Sequence, residues 1–208
     1  MAIYALLDFD TLQKYNISFE EFIKVSKGLK VKILQYRDKN SSFDEKLKRI
    51  KLIRKLWKKT LIVNDDIRLL RYADGIHIGQ EDLERLCKEF NLDEYEVINN
   101  LKSGKFIGLD NKFIVGLSTH NKEEILKANK LPLDYIGLGA YRKTSTKDTS
   151  NILGKSIIDL IKISYHPVAV IGGVRIYDKI PAKFKVVGSD ICKLISTQSK
   201  KKRILKKR

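Results

Sequence analysis

The chain has 208 residues, of which 43% are hydrophobic and 32% charged, a composition that excludes an intrinsically disordered protein and suits one globular domain. No apolar run approaches the roughly 20 residues that span a bilayer, and the N-terminus lacks the pattern of a signal peptide. The two cysteines, Cys87 and Cys192, are far apart and outside any CxxC motif, so we expect reduced thiols and a cytoplasmic location.

The net charge of +17 indicates either an anionic partner or a surface coated with lysine. Basic residues are densest in the last ten positions, 199–208, which we expect to form a tail after a single domain at 1–198. No motif of a known DNA- or RNA-binding module is present, so the sequence does not favour a nucleic-acid partner, and it does not favour a membrane.

Short apolar runs alternate with segments of helical periodicity along the chain. The predicted strands are 3–7, 31–36, 61–63, 75–78, 114–117, 135–138, 168–171 and a last run that ends at residue 195. The predicted helices are 19–27, 43–58, a short one that ends at residue 72, 83–90, 122–130 and 155–164, with an added helix at 93–101. Ser18 and Glu21 predict a capping box at the first helix, and 183–187 fits either a helix or a strand.

Strands that alternate with helices predict a parallel sheet, and eight such units favour a closed (β/α)8 barrel, a TIM barrel of the α/β class, over an open sheet. Such barrels need at least roughly 200 residues, so this one must be short. We expect it to be trimmed at the last helix, because the basic tail follows the last apolar run directly.

In parallel barrels, ligands bind at the C-terminal ends of the strands. After the second strand, alternation places Gln35, Arg37 and Lys39 on one side of the chain. A guanidinium and an ammonium group together suit a phosphate, although a solvated strand end is the alternative interpretation.

Carboxylates follow the next two strands, Asp65 after the third and Asp82 after the fourth. Mg2+ commonly takes one or two carboxylates together with waters and phosphate oxygens, so the pair predicts a magnesium site. The alternative is that each aspartate is the N-cap of the helix that follows it. We expect His77 to be a structural residue of the barrel.

The remaining strand ends carry hydroxyls, cations and glycines, which are groups that bind phosphate. Glycines at 172 and 173 let backbone N–H groups approach an anion closely. The other candidates are Ser118, Thr119 and His120 after the fifth strand, the loop 139–147 after the sixth, and Ser196 and Thr197 at the end of the last run.

Several of these segments resemble the thiamine-phosphate synthase family and its TenI-type thiazole tautomerase relatives. The resemblance spans residues 3–196 and is carried by QYRDK, VNDD, ADGIHIGQEDL, VGLSTH, DYIGLGAYRKTSTK, VAVIGGV and ICKLIS. It implies a transferase that couples hydroxymethylpyrimidine diphosphate to thiazole phosphate with Mg2+, giving thiamine phosphate and pyrophosphate.

The resemblance also implies roles for individual residues. Asp65 and Asp82 match the Mg2+ ligands. The matches to catalytic and diphosphate-contacting residues are Arg37, Lys39, Asn64, Ser118 and Lys147. Gln35 matches a residue near the pyrimidine, as Ser118 also does. The matches to the thiazole-phosphate site are Thr144, Thr146, Gly173 and Ser196.

Two other functions compete with the synthase. A tautomerase would use His120 for acid–base chemistry, and a diverged barrel could bind thiamine intermediates without turnover. The retained GQED segment favours the synthase. The chain departs from the family at Asp8, at Arg142 and Lys143, and at Lys193. The sequence leaves a homo-oligomer open.

Overall fold

The computed structural model describes residues 1–143 and 152–205, and in them eight parallel strands close into a barrel in sequence order, with β8 paired to β1. The predicted (β/α)8 barrel is therefore confirmed. No helix among the described residues is both long and apolar enough to cross a membrane.

The strands lie close to their predicted positions for the first seven units. They are β1 (Ala2–Asp8), β2 (Ile33–Arg37), β3 (Thr60–Asn64), β4 (Gly75–Ile78), β5 (Ile114–Thr119), β6 (Tyr135–Leu138), β7 (Val168–Val170) and β8 (Phe184–Val187). The α-helices are α1 (Phe9–Tyr15), α2 (Phe19–Gly28), α3 (Phe43–Leu56), α4 (Gln80–Phe90), α5 (Glu94–Ser103), α6 (Lys122–Ala128), α7 (Ile157–Lys162) and α8 (Ser189–Leu205). Short 3-10 turns occupy Ile67–Tyr72, Lys105–Ile107 and Gly154–Ser156.

Helix starts follow from local side-chain chemistry. The predicted capping box of Ser18 and Glu21 is present at α2, where the backbone N–H of each residue donates to the side chain of the other. The same arrangement opens α3 at Ser42 and the added helix α5 at Asp93. Such caps contribute about 1 kcal/mol each. Helix α1 was not among the predicted elements; Asp8 caps it by accepting from the backbone N–H of Thr11.

The end of the chain differs from the prediction. The segment 183–187, which fits either a helix or a strand by sequence, forms β8 and pairs with both β7 and β1. The apolar run that ends at Ile195, predicted as the last strand, belongs to α8. Ile191, Cys192 and Ile195 are buried at helical spacing, and α8 packs against α1 and α2. The expectation of a barrel trimmed at the last helix is therefore wrong. Helix α8 also continues across the predicted boundary between 198 and 199.

Side chains that point into the barrel form a cluster separate from the core between sheet and helices. Its buried members are Tyr4, Ile33, Ile62, Tyr135, Ala169 and Val186. Gly116 on β5 makes room for Tyr135, since a Cβ at that glycine would overlap the tyrosine ring. The floor of the barrel is thus filled, and a cavity lies at the C-terminal ends of the strands.

We predict that Gly116→Ala destabilises the protein by about 1–3 kcal/mol, because the new methyl group must displace a fully enclosed ring. Gly28→Ala is the matched control: nothing lies within 4 Å of a Cβ at Gly28, so its free energy of unfolding should change by no more than about 1 kcal/mol. Chemical denaturation measures both. Equal stability of the two variants would contradict the packing of Tyr135 against Gly116.

Candidate active site at the barrel mouth

The C-terminal strand ends surround a cavity of about 570 Å3, which we call the mouth. Eight predicted site residues line it: Gln35, Arg37, Lys39, Asn64, Asp65, Asp82, Ser118 and Gly173. Thr144, Thr146 and Lys147 lie outside the described residues. The structure thus brings together the side chains predicted for the diphosphate, the metal and the pyrimidine, while their roles stay predictions.

Ser196 is not at the mouth. It lies on α8, beyond the first two turns of that helix, and does not line the cavity. Gly188 and Ser189, which directly follow β8, occupy the strand end instead. The predicted position of Ser196 is wrong because the apolar run that ends at Ile195 is part of helix α8, and the last strand is Phe184–Val187.

The two aspartates face each other across the ends of β3 and β4. Neither is a helix cap: Asp66 caps the 3-10 turn, and Gly79 is at the N-cap of α4. Burial, followed by repulsion from Asp82, raises the pKa of Asp65 to about 6. Asp65 also has a left-handed backbone with φ of 60°, which is unusual for a residue with a side chain.

This carboxylate pair fits a hard divalent cation. Two anionic side chains held together at the end of a barrel provide oxygen ligands on one side and leave the cavity side for waters and phosphate oxygens. Among residues 1–143 and 152–205, no cluster of three or more carboxylate, histidine or cysteine side chains competes as a metal site. Zn2+, which takes four nitrogen or sulfur ligands in structural sites, is a poor match.

Cationic side chains lie beside the pair. The ammonium of Lys39 is 3.6 Å from Asp65 Oδ2. Arg37 donates to Asp8 Oδ1, and Asp8 is buried and also accepts from Thr11 Oγ1 at 2.6 Å. The buried Asp8 therefore holds the guanidinium of Arg37 at the wall of the mouth.

The residues that alternate with Arg37 and Lys39 face away from the mouth. Tyr36 Oη donates to Asp38 Oδ2 at 2.8 Å, and Arg49 donates to the same oxygen at 2.6 Å. Burial would raise the pKa of Asp38, but hydrogen bonds from Tyr36, Ser41 and Arg49 hold it below its usual value. The predicted alternation is confirmed, and this outer cluster fixes the loop that carries Lys39.

A second polar group lies below the carboxylates, inside the barrel. Tyr4 Oη is 2.9 Å from both Gln35 Oε1 and Tyr135 Oη. His77 Nδ1 lies 3.0 Å from Tyr135 Oη, and His77 Nε2 lies 2.9 Å from Ser118 Oγ. Burial raises the pKa of both tyrosines, which keeps them neutral. The sequence predicted Gln35 and Ser118 as site residues but not Tyr4 and Tyr135, because a tyrosine within an apolar run is expected to belong to the hydrophobic core.

The amide of Gln80 was also missed. Its Nε2 donates to the carbonyl of Ser118 at 2.6 Å, which ties the start of α4 to the end of β5. The signal was present in the sequence, since Gln80 belongs to the segment that also supplies Asp82. His120 lines the mouth as well, with Nδ1 2.9 Å from Glu124 Oε2.

The ends of β6 and β7 are joined by Arg142. Its guanidinium donates to both oxygens of Asp178, at 2.5 and 3.1 Å, and to the carbonyl of Gly173 at 3.1 Å. Gly172 and Gly173 both have positive φ, and a Cβ at Gly173 would approach the Cβ of Arg142 to 2.8 Å. Glycine is therefore required here by the loop itself, and Arg142 serves to hold the two loops together.

A closed parallel barrel whose mouth combines a carboxylate pair, an arginine, a lysine and a glycine turn has the features of a barrel enzyme that handles phosphorylated substrates. Comparison with known proteins shows which family of barrel proteins this chain resembles in sequence. A family model described as thiamine monophosphate synthase matches residues 10–98 and 102–182, and the chain therefore belongs to that family.

Individual relatives with similar sequences or structures point to the same family. Thiamine-phosphate synthase from Dictyoglomus turgidum is 37% identical over 175 residues, covering 79% of this chain and 70% of that protein. The protein of that name from Persephonella marina is 37% identical over 149 residues, covering 69% of this chain and 63% of the relative, which is less than two thirds. Thiamine phosphate pyrophosphorylase from Pyrococcus furiosus has the same fold, with a TM-score of 0.66 at 19% identity over 95% of this chain and 96% of that one.

We predict that Asp65→Asn raises the melting temperature of the metal-free protein at pH 8. Because the folded state raises the pKa of Asp65 from 3.8 to about 6, keeping that carboxylate ionised above pH 6 costs folding free energy, on the order of 1–3 kcal/mol. The gain should shrink between pH 6 and pH 4, where Asp65 becomes protonated in the folded wild type.

Thermal melts in chelator at both pH values measure the effect. Asp159→Asn is the control, because its side chain is 80% exposed on α7 and its pairing with Lys162 contributes little. A melting temperature at pH 8 that is equal for Asp65→Asn and the wild type would contradict the repulsion between the two aspartates.

Proposed function

We propose that this protein is a Mg2+-dependent thiamine-phosphate synthase, which joins hydroxymethylpyrimidine diphosphate to thiazole phosphate and releases pyrophosphate. The observation that carries the proposal is the contact of the Asp65–Asp82 pair with Lys39, beside Arg37, at the mouth of a barrel of this family. Both substrates are small molecules, and the cytoplasmic location stays a prediction of the sequence.

In the proposed reaction, a C–O bond to the diphosphate breaks and a C–N bond to the thiazole nitrogen forms. Asp65 and Asp82 would hold Mg2+, which when bound neutralises charge on the leaving diphosphate. Lys39 and Arg37 neutralise the same charge from the side of β2. Because these cations are held in place before the reaction, little reorganisation is needed as the leaving group becomes more anionic.

The pyrimidine and the thiazole phosphate occupy different parts of the mouth in this proposal. Gln35 and Ser118, from β2 and β5, lie at the inner end of the cavity and bind the pyrimidine ring. Gly173, which lines the cavity after β7, offers its backbone to the thiazole phosphate, as a glycine turn with positive φ suits an anion. Thr144, Thr146 and Lys147 are proposed to complete these sites.

The tautomerase alternative depends on His120. That imidazole is hydrogen-bonded to Glu124 at the edge of the mouth, and an isomerisation gives no role to the carboxylate pair or to Lys39. The binder alternative uses the same residues without turnover. The assay below separates the three functions.

We predict thiamine phosphate formation when the protein is mixed with both substrates and Mg2+, and its loss with chelator. Thiochrome fluorescence measures the product. Asp65→Ala and Asp82→Ala should each lower kcat/KM by at least about 100-fold, because each removes a carboxylate from the metal. Asp159→Ala, which removes an exposed carboxylate, is the control and should retain wild-type activity.

No product from folded protein would refute the synthase. Isomerisation of the thiazole carboxylate phosphate that is lost in His120→Asn would then support the tautomerase. Ligand-induced stabilisation without either reaction would support the binder. Activity that survives in both aspartate variants would remove the pair from the metal site.

A further inference from the structure

Seven polar side chains form a continuous hydrogen-bonded path across the inside of the barrel. In order they are Ser118, His77, Tyr135, Tyr4, Gln35, Asn64 and Asp65. The path connects Ser118 on β5 to Asp65 at the end of β3 by way of side chains on β4, β6, β1 and β2. Each step is a contact between two side chains, so the donor in one contact restricts the donor in the next.

The direction of the path is fixed at its Asp65 end. A carboxylate only accepts, so the group of Asn64 that contacts Asp65 is its amide nitrogen. Asn64 Oδ1 therefore faces Gln35 and accepts from Gln35 Nε2 at 2.7 Å. Gln35 Oε1 is then the atom that faces Tyr4, and it accepts from the Tyr4 hydroxyl at 2.9 Å.

The same restriction passes through the two tyrosines. A hydroxyl has one proton, and that of Tyr4 is used by Gln35. In the contact between the two phenols, Tyr135 must then be the donor. With its own proton used by Tyr4, Tyr135 can only accept from His77, and Nδ1 of His77 must carry a proton.

The last step reaches the cavity. In a neutral imidazole that is protonated on Nδ1, Nε2 is an acceptor, so the contact at 2.9 Å is a donation from Ser118 Oγ. The Ser118 proton is thereby directed into the barrel, and its lone pairs remain for a ligand. With this tautomer of His77, all six hydrogen bonds run in one direction, from Ser118 to Asp65.

The middle of this path is buried and tightly packed. The residues in its middle are buried: Tyr4 is 1% exposed, Tyr135 3% and Gln35 4%. The ring of His77 stacks on Tyr135 with centroids 5.5 Å apart, and it packs against Gly137, where a Cβ would lie 2.9 Å from its Cε1. Reversing one hydrogen bond would leave a buried donor or acceptor without a partner, which is unfavourable.

We propose that His77, Tyr135 and Tyr4 are positioning residues that commit Ser118 to accept a hydrogen bond from the substrate. Ser118 would then select a ring that bears a donor, such as an amino group on a pyrimidine, over one that bears an acceptor at the same place. The identity of the ring rests on the proposed function; the direction of the path does not.

The direction is tested by the tautomer of His77 in the full-length protein without ligands. The chain has three histidines, so long-range 1H–15N spectra of protein labelled at histidine are simple, and His120→Asn and His166→Asn assign the signals. At pH 8 we expect His77 to carry its proton on Nδ1. A proton on Nε2, or on both nitrogens, would overturn the inference.

Tyr4→Phe tests transmission along the path, because Tyr135 lies between Tyr4 and His77 in the series of hydrogen bonds. Without its acceptor, the Tyr135 hydroxyl is released to donate to His77 Nδ1, and the tautomer should shift towards Nε2–H. Tyr36→Phe is the matched control, since Tyr36 is equally buried but donates to Asp38 outside the path. Tyr135→Phe serves if Tyr4→Phe does not fold; removing its hydroxyl should also lower the Nδ1–H population. An unchanged tautomer in the folded variant would overturn the inference.

The consequence for specificity is measured with two pyrimidine diphosphates, one with the ring amino group and one with a carbonyl in its place. The wild-type protein should have a lower KM for the amino compound than for the carbonyl compound. Tyr4→Phe should reduce this ratio of KM values about tenfold, which corresponds to the free energy of one hydrogen bond, and should change kcat less. An unchanged preference would overturn the role of Ser118 as a committed acceptor. Absence of turnover with either compound would refute the proposed function, while the tautomer would still decide the direction of the path.

Discussion

The pairing of β8 with β1 is the contact on which the rest of the molecule depends. It aligns Ala2 with Phe184 and Ala5 with Val187, and it closes the sheet so that all strand ends meet at one rim. Without it, Asp8 and Arg37 at one end of the sheet would be separated from Gly173 and Gly188 at the other. Closure also determines that the residues facing inwards are enclosed on all sides, so that polar groups among them must find partners in one another.

Two kinds of electrostatic environment result from this enclosure. At the rim, the structure holds Asp65 and Asp82 together despite their repulsion, with Lys39 as a partial counter-charge. Strain and repulsion concentrated at one place are typical of a binding site and not of a folding core. Below the rim, polar side chains from Tyr4 to His77 satisfy one another at ordinary hydrogen-bond distances. The stable interior thus supports the strained rim, and the two meet at Asn64, which contacts both Gln35 and Asp65.

The arrangement of the loops shows the same division between support and function. Asp8, which the resemblance marks as a departure from the family, is the partner of Arg37 in the structure. Arg142, a second such position, binds Asp178 and the carbonyl of Gly173 and so joins two loops of the mouth. Both side chains contact other parts of the protein, so both help to hold the site together.

The sequence by itself determined the eight-unit barrel, the first seven strands to within two residues, and eight residues of the mouth, because periodicity and strand-end chemistry are local properties. It failed at the last unit, where short apolar segments fit a strand or a helix equally well until the pairing with β1 selects 184–187. Only the tertiary structure decided that Asp65 and Asp82 share one site and are not caps, and that Tyr4 and Tyr135 belong to a polar path. Those properties depend on distances between residues far apart in the chain, and a pattern along one sequence contains no such distances.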